Sequence, residues 1–238
     1  MTVAILAVAT LATAALSAVV GMGGGVTLLA VMAALLPAPV VVPIHGVVQL
    51  TSNGTRTLLL LRHVHAGIFL TYIVPALVGV MVGAHLYMGG PLPWFRPAVG
   101  IFILAYLVTM RWQPTLGRLP LWTFAPLGLT VGALASVIGA TGPLIAPFFL
   151  RDDLDKEQII GTKAAVQICT HVAKIPAFAM LGFDYGAHGR TIVPLLIAAV
   201  AGTWAGRKLL AGISPELFRR AFVTVLVLIS VHLIFFGR

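Results

Sequence analysis

Arg56, Lys163 and Lys174 lie inside long apolar stretches, whereas all six acidic residues, Asp152, Asp153, Asp155, Glu157, Asp184 and Glu216, lie in or beside the connections between such stretches. An uncompensated cation near the centre of a bilayer costs about 2.5–3.5 kcal/mol even on lenient scales. With no carboxylate at that depth, a water-filled cavity that receives an anion would offset the cost. Snorkelling to the interface is the competing account for all three, above all for Arg56, close to the end of its stretch. Spacing then groups these residues with others. His45, Gln49, Asn53 and Arg56 follow one another at i, i+4, i+8 and i+11, one face of a helix, and Lys163, Gln167, His171 and Lys174 repeat the pattern. Thr51, Ser52, Thr55 and Thr170 lie close by in sequence. Both stripes are rich in hydrogen-bond donors and lack carboxylates, which suits an oxyanion and fits a cation badly. Polar contact between helices accounts for Gln49 and Asn53 but poorly for the lysines.

The elements that must carry these stripes follow from composition. Of 238 residues, 60% are hydrophobic and 9% charged, against about 45–50% apolar and about 25% charged in soluble domains. A soluble fold is excluded, and no length remains for a soluble catalytic domain. The 15 Lys and Arg against 6 Asp and Glu give a net charge of +9, but the basic residues stand singly or in pairs at the ends of apolar stretches. That pattern marks cytoplasmic loops rather than a nucleic-acid surface. Cys169 is the only cysteine, so no intrachain disulfide can form. The opening Met1-Thr2-Val3-Ala4 lacks the positive n-region of a signal peptide, so the first stretch is expected to stay in the mature protein.

Apolar segments are expected near 2–20, 24–36, 44–61, 66–88 and 96–111, then near 120–139, 142–150, 158–181, 191–210 and 219–236. The second of each five spans only about 20 or 14 Å as a helix, too short for a hydrocarbon core of about 30 Å, and reads as a half-helix or re-entrant piece. The two sets of five resemble each other, at an offset of 118 through their first parts, then 119 at Pro75 and Pro194 and 123 at Phe95 and Phe218. LSAVVGMGGG (16–25) aligns with LASVIGATGP (134–143), and VVQLTSNGTR (47–56) aligns in the same register with AVQICTHVAK (165–174). The expected architecture is an all-α membrane protein of two repeats, 1–111 and 120–238, joined by a linker at 112–119 into one membrane domain. Charge orients the repeats oppositely. With both termini outside, Arg62, Arg111, Arg118, Arg151, Lys156, Arg207, Lys208, Arg219 and Arg220 fall inside, and Arg96, Arg190 and Arg238 outside. An odd number of crossings in each repeat requires the same inversion, as in transporters built from inverted repeats.

The glycine stretches add an anion device. GMGGG (21–25), with Gly23, Gly24 and Gly25, and GATGP (139–143), with Thr141 and Gly142, each open a short helix, whose N-terminus offers free N–H groups and partial positive charge. Pro143 suits the first turn of such a helix. Close packing is the alternative reason for any single glycine. His45 and His171 lie on the stripes and titrate near neutrality, so proton coupling is a further option. His63 and His65 sit at a membrane edge facing headgroups or water, and His85 and His232 have no ligand-spaced partner. No metal or cofactor is therefore expected. Trp94, Trp112, Trp122 and Tyr185 lie near segment ends, as interfacial anchors do. No G-x-S-x-G, H-E-x-x-H or Walker sequence occurs.

Taken together, GMGGG, its altered repeat GATGP, and the two Gln-bearing stretches VVQLTSNGTR and GTKAAVQICTHVAK resemble the TauE/SafE sulfite exporter family, also called the toluene sulfonate uptake permease family. The resemblance covers nearly the whole chain. It implies a multi-pass carrier in a bacterial inner membrane for sulfur-containing anions such as sulfite, sulfoacetate and related organosulfonates. It carries over to Gly23, Gly24, Gly25, Gln49 and Gln167, and less well to Ala140, Thr141 and Pro143, where the second repeat departs from a glycine run. The expectation is a secondary carrier, not an enzyme, working by rocking of one repeat against the other. Its partners are a small anion and membrane lipid, nucleic acid is not one, and a homodimer stays open. An anion channel or an uptake permease for another oxyanion such as sulfate would share the same lining. An intramembrane redox protein using His45 and His171 would need a ligand set that the sequence lacks.

Overall fold

The structure is a computed structural model that describes residues 1–20, 23–90, 92–110, 117–209 and 215–236. Gly21, Met22, Arg111, Trp112, most of the expected linker and Arg238 lie outside the described residues. So do the side chains of Pro143, Lys156, Arg207, Lys208, Arg219 and Arg220.

The described residues form ten α-helices and no strand: α1 Thr2–Val20, α2 Gly24–Leu35, α3 Ala38–Leu59, α4 Ala66–Met88, α5 Phe95–Met110, α6 Phe124–Val137, α7 Gly142–Phe149, α8 Lys156–Met180, α9 Gly189–Leu209 and α10 Pro215–Phe235. The segments expected from the sequence fall on these helices one for one. The largest departure is the start of α3, placed six residues later by the sequence reading. Pro37 precedes this helix and Pro39 sits in its first turn, where a missing N–H costs nothing, and Pro43 is absorbed within it. α6 starts later than expected because a single 3₁₀ turn, Leu121–Thr123, precedes it. α8 opens on a capping box, in which the Asp155 side chain accepts from the Gln158 backbone N–H and the Gln158 side chain accepts from that of Asp155.

α2, with 12 residues, and α7, with 8, span about 18 and 12 Å and cannot cross a bilayer. Among the described residues, Ala66–Met88 and Gly189–Gly206 are long and apolar enough to do so. The described helices expose many large apolar side chains, with Leu70, Val74, Leu86, Ile101, Ile197 and Leu228 all exposed, as a lipid-facing surface requires. The architecture is that of an all-α protein consistent with a membrane setting.

Packing runs largely between helices distant in sequence. α4 lies along α6 and α1 along α9, while α3 packs on α8 and α9, α4 also on α8, and α5 on α10. Small residues allow the closest approaches. A Cβ on Gly79 or Gly83 would lie 2.1 or 2.2 Å from the carbonyl oxygens of Leu129 and Ala133, and one on Gly202 would lie 2.3 Å from that of Leu11. These seams are backbone against backbone, the packing that small residues permit where no hydrophobic effect drives helices together.

Candidate functional site

α3 and α8 carry the two polar stripes and pack against each other, so the stripes meet. The side chains of His45, Gln49, Asn53, Arg56, Lys163 and His171 are all buried. With Ser17, Gly23, Gly25, Val26, Ala140, Thr141, Gly142 and Gln167, they line one small cavity with about 30 Å³ of water-accessible space. The His45 and His171 rings stand edge to face with centroids 6.3 Å apart.

Both short helices begin at this cavity. Gly23 precedes α2 with φ of 93°, and Gly139, three residues before α7, has φ of 111°. Only glycine takes such values without strain, and these reversals aim each helix N-terminus inward. Each stripe glutamine lies against the start of a short helix. A Cβ on Gly25 would be 3.3 Å from the Gln49 amide, and one on Gly142 would be 3.0 Å from Gln167 Nε2. The two half-sites thus share a plan, a glycine-bearing first turn covered by a glutamine.

The polar groups divide into engaged and unengaged. His45 Nε2 donates to the Gly25 carbonyl at 2.8 Å. Arg56 donates from Nε to the Ser52 carbonyl at 3.4 Å, from Nη1 to the Ser17 carbonyl at 3.3 Å, and from Nη2 to Asn53 Oδ1. That last bond occupies the Asn53 oxygen and leaves its amide N–H groups as the free end. Lys174 is fully buried and donates from Nζ to the Gly139 carbonyl at 3.0 Å. Among the described residues that line the cavity, Lys163 Nζ, His171 Nδ1 and His45 Nδ1 are buried without a hydrogen-bond partner. Among the described residues, no carboxylate lines the cavity. The ion pairs among the described residues, Arg151 and Arg118 with Asp153, lie in the connections.

Of the residues expected at a site, the cavity gathers His45, Gln49, Asn53, Arg56, Lys163, Gln167, His171, Gly23, Gly25, Thr141 and Gly142. It does not gather Lys174 or Gly24. Lys174 reaches instead behind the turn at Gly139. Gly24 faces α1, where a Cβ would lie 2.0 Å from the Thr13 carbonyl oxygen and 2.2 Å from Ser17 Oγ. Of the nearby hydroxyls, Thr51, Thr55 and Thr170 bond to backbone carbonyls of their own helices, and Ser52 lies 3.5 Å from the Thr203 hydroxyl. Ser17 is the polar lining residue the sequence reading missed, together with the apolar Val26. It belongs to α1, off both stripes, and its only sequence cue is a hydroxyl one turn before the glycine run.

Other expectations resolve elsewhere. His65 caps α4, its Nδ1 accepting from the Ile68 N–H at 3.3 Å, while its own N–H donates to Thr162 Oγ1 at 2.9 Å. Trp94 and Trp122 are exposed near helix ends. Tyr185 is half-buried, its ring against Phe183, rather than projecting as an anchor.

What these surfaces provide is a donor-rich cavity at the starts of two short helices, a lining that suits an anion better than a cation. No curated protein and no solved structure matches this chain. The family model described as "Sulfite exporter TauE/SafE" matches residues 5–233, nearly the whole length. That family is one of membrane transporters rather than enzymes, and this chain belongs to it.

Proposed function

We propose that the protein is a multi-pass secondary carrier of a bacterial inner membrane that exports small sulfur-containing anions, sulfite or organosulfonates such as sulfoacetate, by alternating access. The observation that carries this reading is the buried, unpartnered Lys163 ammonium in a carboxylate-free cavity. An isolated buried cation is costly, and a bound oxyanion satisfies it with a charge-assisted hydrogen bond. Gln49, Gln167, Asn53, Ser17 and Thr141 add neutral donors around it. The first turns of α2 and α7 contribute backbone N–H groups from two sides.

The two-repeat reading, 1–111 and 120–238 joined at 112–119, has support in the packing. Exchanging α1–α5 with α6–α10 maps α4 on α6 onto α1 on α9, maps α4 on α8 onto α3 on α9, and leaves α3 on α8 and α5 on α10 unchanged. Opposite orientation of the repeats places the site near the midplane at their junction, the arrangement of carriers with broken helices. Lipid and the anion are the partners of this reading, with a homodimer compatible with it.

The test is counterflow in proteoliposomes against sulfite, sulfate, sulfoacetate, phosphate and chloride. Saturable flux of sulfite or sulfoacetate, stimulated by anion on the opposite side, is the expected result. Flux that neither saturates nor shows stimulation indicates a channel. Parental transport by a correctly inserted Lys163→Ala variant removes the anion-site assignment.

A further inference from the structure

Arg56 and Lys174 occupy the same place in the two aligned stretches, and they make the same kind of contact. Arg56 Nη1 donates to the Ser17 carbonyl in the last turn of α1, and Lys174 Nζ donates to the Gly139 carbonyl, two residues beyond the end of α6. These carbonyls lie at C-terminal helix ends, where backbone oxygens lack helical partners and carry partial negative charge. Each cation is therefore compensated by protein. Each contact also lies ahead of a short helix whose start lines the cavity, at Gly23 and Gly25 in one case and at Ala140, Thr141 and Gly142 in the other. Lys163 has no such contact.

We propose that Arg56 and Lys174 are positioning residues that pin the two broken helix ends beside the cavity, and that Lys163 is the cation that meets the anion directly. The three buried charges thus divide into two that hold the donor turns in place and one that binds. The transport arm of the test rests on the function proposed above. The stability arm does not.

Lys163→Met, Lys174→Met, Lys174→Gln and Lys174→Arg are compared with the parent in purified full-length protein, by melting in detergent and by sulfite counterflow. Removing an unpaired buried charge does not destabilise, so Lys163→Met melts no lower than the parent, while its half-saturating sulfite concentration rises by about tenfold or more. Lys174→Met leaves the Gly139 carbonyl unpaired and melts several degrees lower. Its turnover falls about tenfold or more with half-saturation changed less than about threefold, because the turn is displaced while the binding charge remains. Lys174→Arg and Lys174→Gln, both still able to donate to Gly139, recover melting and turnover, and recovery by the uncharged glutamine is what loss of an anion-binding charge would not allow. If Lys174→Met does not accumulate, Lys174→Gln, which removes the charge but keeps an N–H donor, decides: parental half-saturation supports the assignment and an increase of about tenfold overturns it. The proposal also fails if Lys163→Met melts several degrees low or keeps parental half-saturation, or if Lys174→Met melts as the parent does. Absence of saturable sulfite flux in the parent refutes the transport reading, and the melting comparison still decides how the lysines divide.

Discussion

Gly24→Ala tests the placement of α2 against α1 with a single methyl group. Its Cβ would lie 2.0 Å from the Thr13 carbonyl oxygen and 2.2 Å from Ser17 Oγ, whereas ordinary contact begins near 3.4 Å. The Thr13 oxygen is backbone and cannot rotate away, so α2 must retreat from α1 by more than an ångström. Overpacking of this kind costs about 1–3 kcal/mol, and at about 2–4 °C per kcal/mol for a chain of this size the melting point falls by about 2–12 °C. The same retreat shifts the first turn of α2, including Gly25, relative to Gln49 and the cavity, and an ångström of misplacement costs about 10²-fold in rate. Gly25→Ala is the control, because its Cβ meets only the Gln49 side chain, at 3.3 Å, which can yield by a few tenths of an ångström. That variant melts near the parent and shows a raised half-saturating concentration. The assays are melting in detergent and counterflow at matched membrane abundance. Parental melting together with parental flux in Gly24→Ala would refute the close α1–α2 contact and the coupling drawn from it.

The seam glycines predict a second contrast. Gly79→Ala and Gly132→Ala would place a Cβ 2.1 and 2.3 Å from carbonyl oxygens across the α4–α6 contact, and both lower the melting point, whereas Gly54→Ala, with nothing within 4 Å, is neutral or stabilising by up to about 1 kcal/mol. In the connection between α7 and α8, a side-chain hydrogen bond from Arg151 and the guanidinium charge hold the Asp153 carboxyl at about 2. A carboxylate with a lowered folded-state value stabilises above its unfolded pKa of about 4, and the contribution disappears as pH falls toward about 2. The melting difference between the parent and Asp153→Asn is therefore constant above about pH 5 and closes on acidification; a difference that grew as pH fell would contradict the pairing. Arg56→Lys loses the planar fork that reaches Ser52, Ser17 and Asn53 together, and melts below the parent.

Much of the fold was legible because apolar runs and their interruptions are local signals. Gly23-Gly24-Gly25 and Gly142-Pro143 marked the starts of α2 and α7, and the i, i+4, i+8, i+11 stripes lie where α3 and α8 meet. What was not legible depended on tertiary proximity. Gly24 and Gly25 are indistinguishable in sequence, yet one faces the α1 backbone and the other the cavity. Lys163 and Lys174 share a stripe, yet a carbonyl two residues past the end of another helix engages one and leaves the other free. Proline at the head of α3 read as a loop because the pattern penalises proline, whereas a first helical turn tolerates it.

The long-range seams restrict how such a molecule can move. α1 is locked backbone to backbone along α9, and α4 along α6, so each half of the chain holds a helix of the other in its grip. A motion that swung residues 1–111 as a body against 120–238 would have to open both seams and expose glycine backbone. Any displacement that keeps them closed carries α1 with α9 as one rigid pair and α4 with α6 as another, with α3, α8 and the cavity between them. The moving parts are then composites of both halves, and neither half, made alone, has the surface against which its own glycines close.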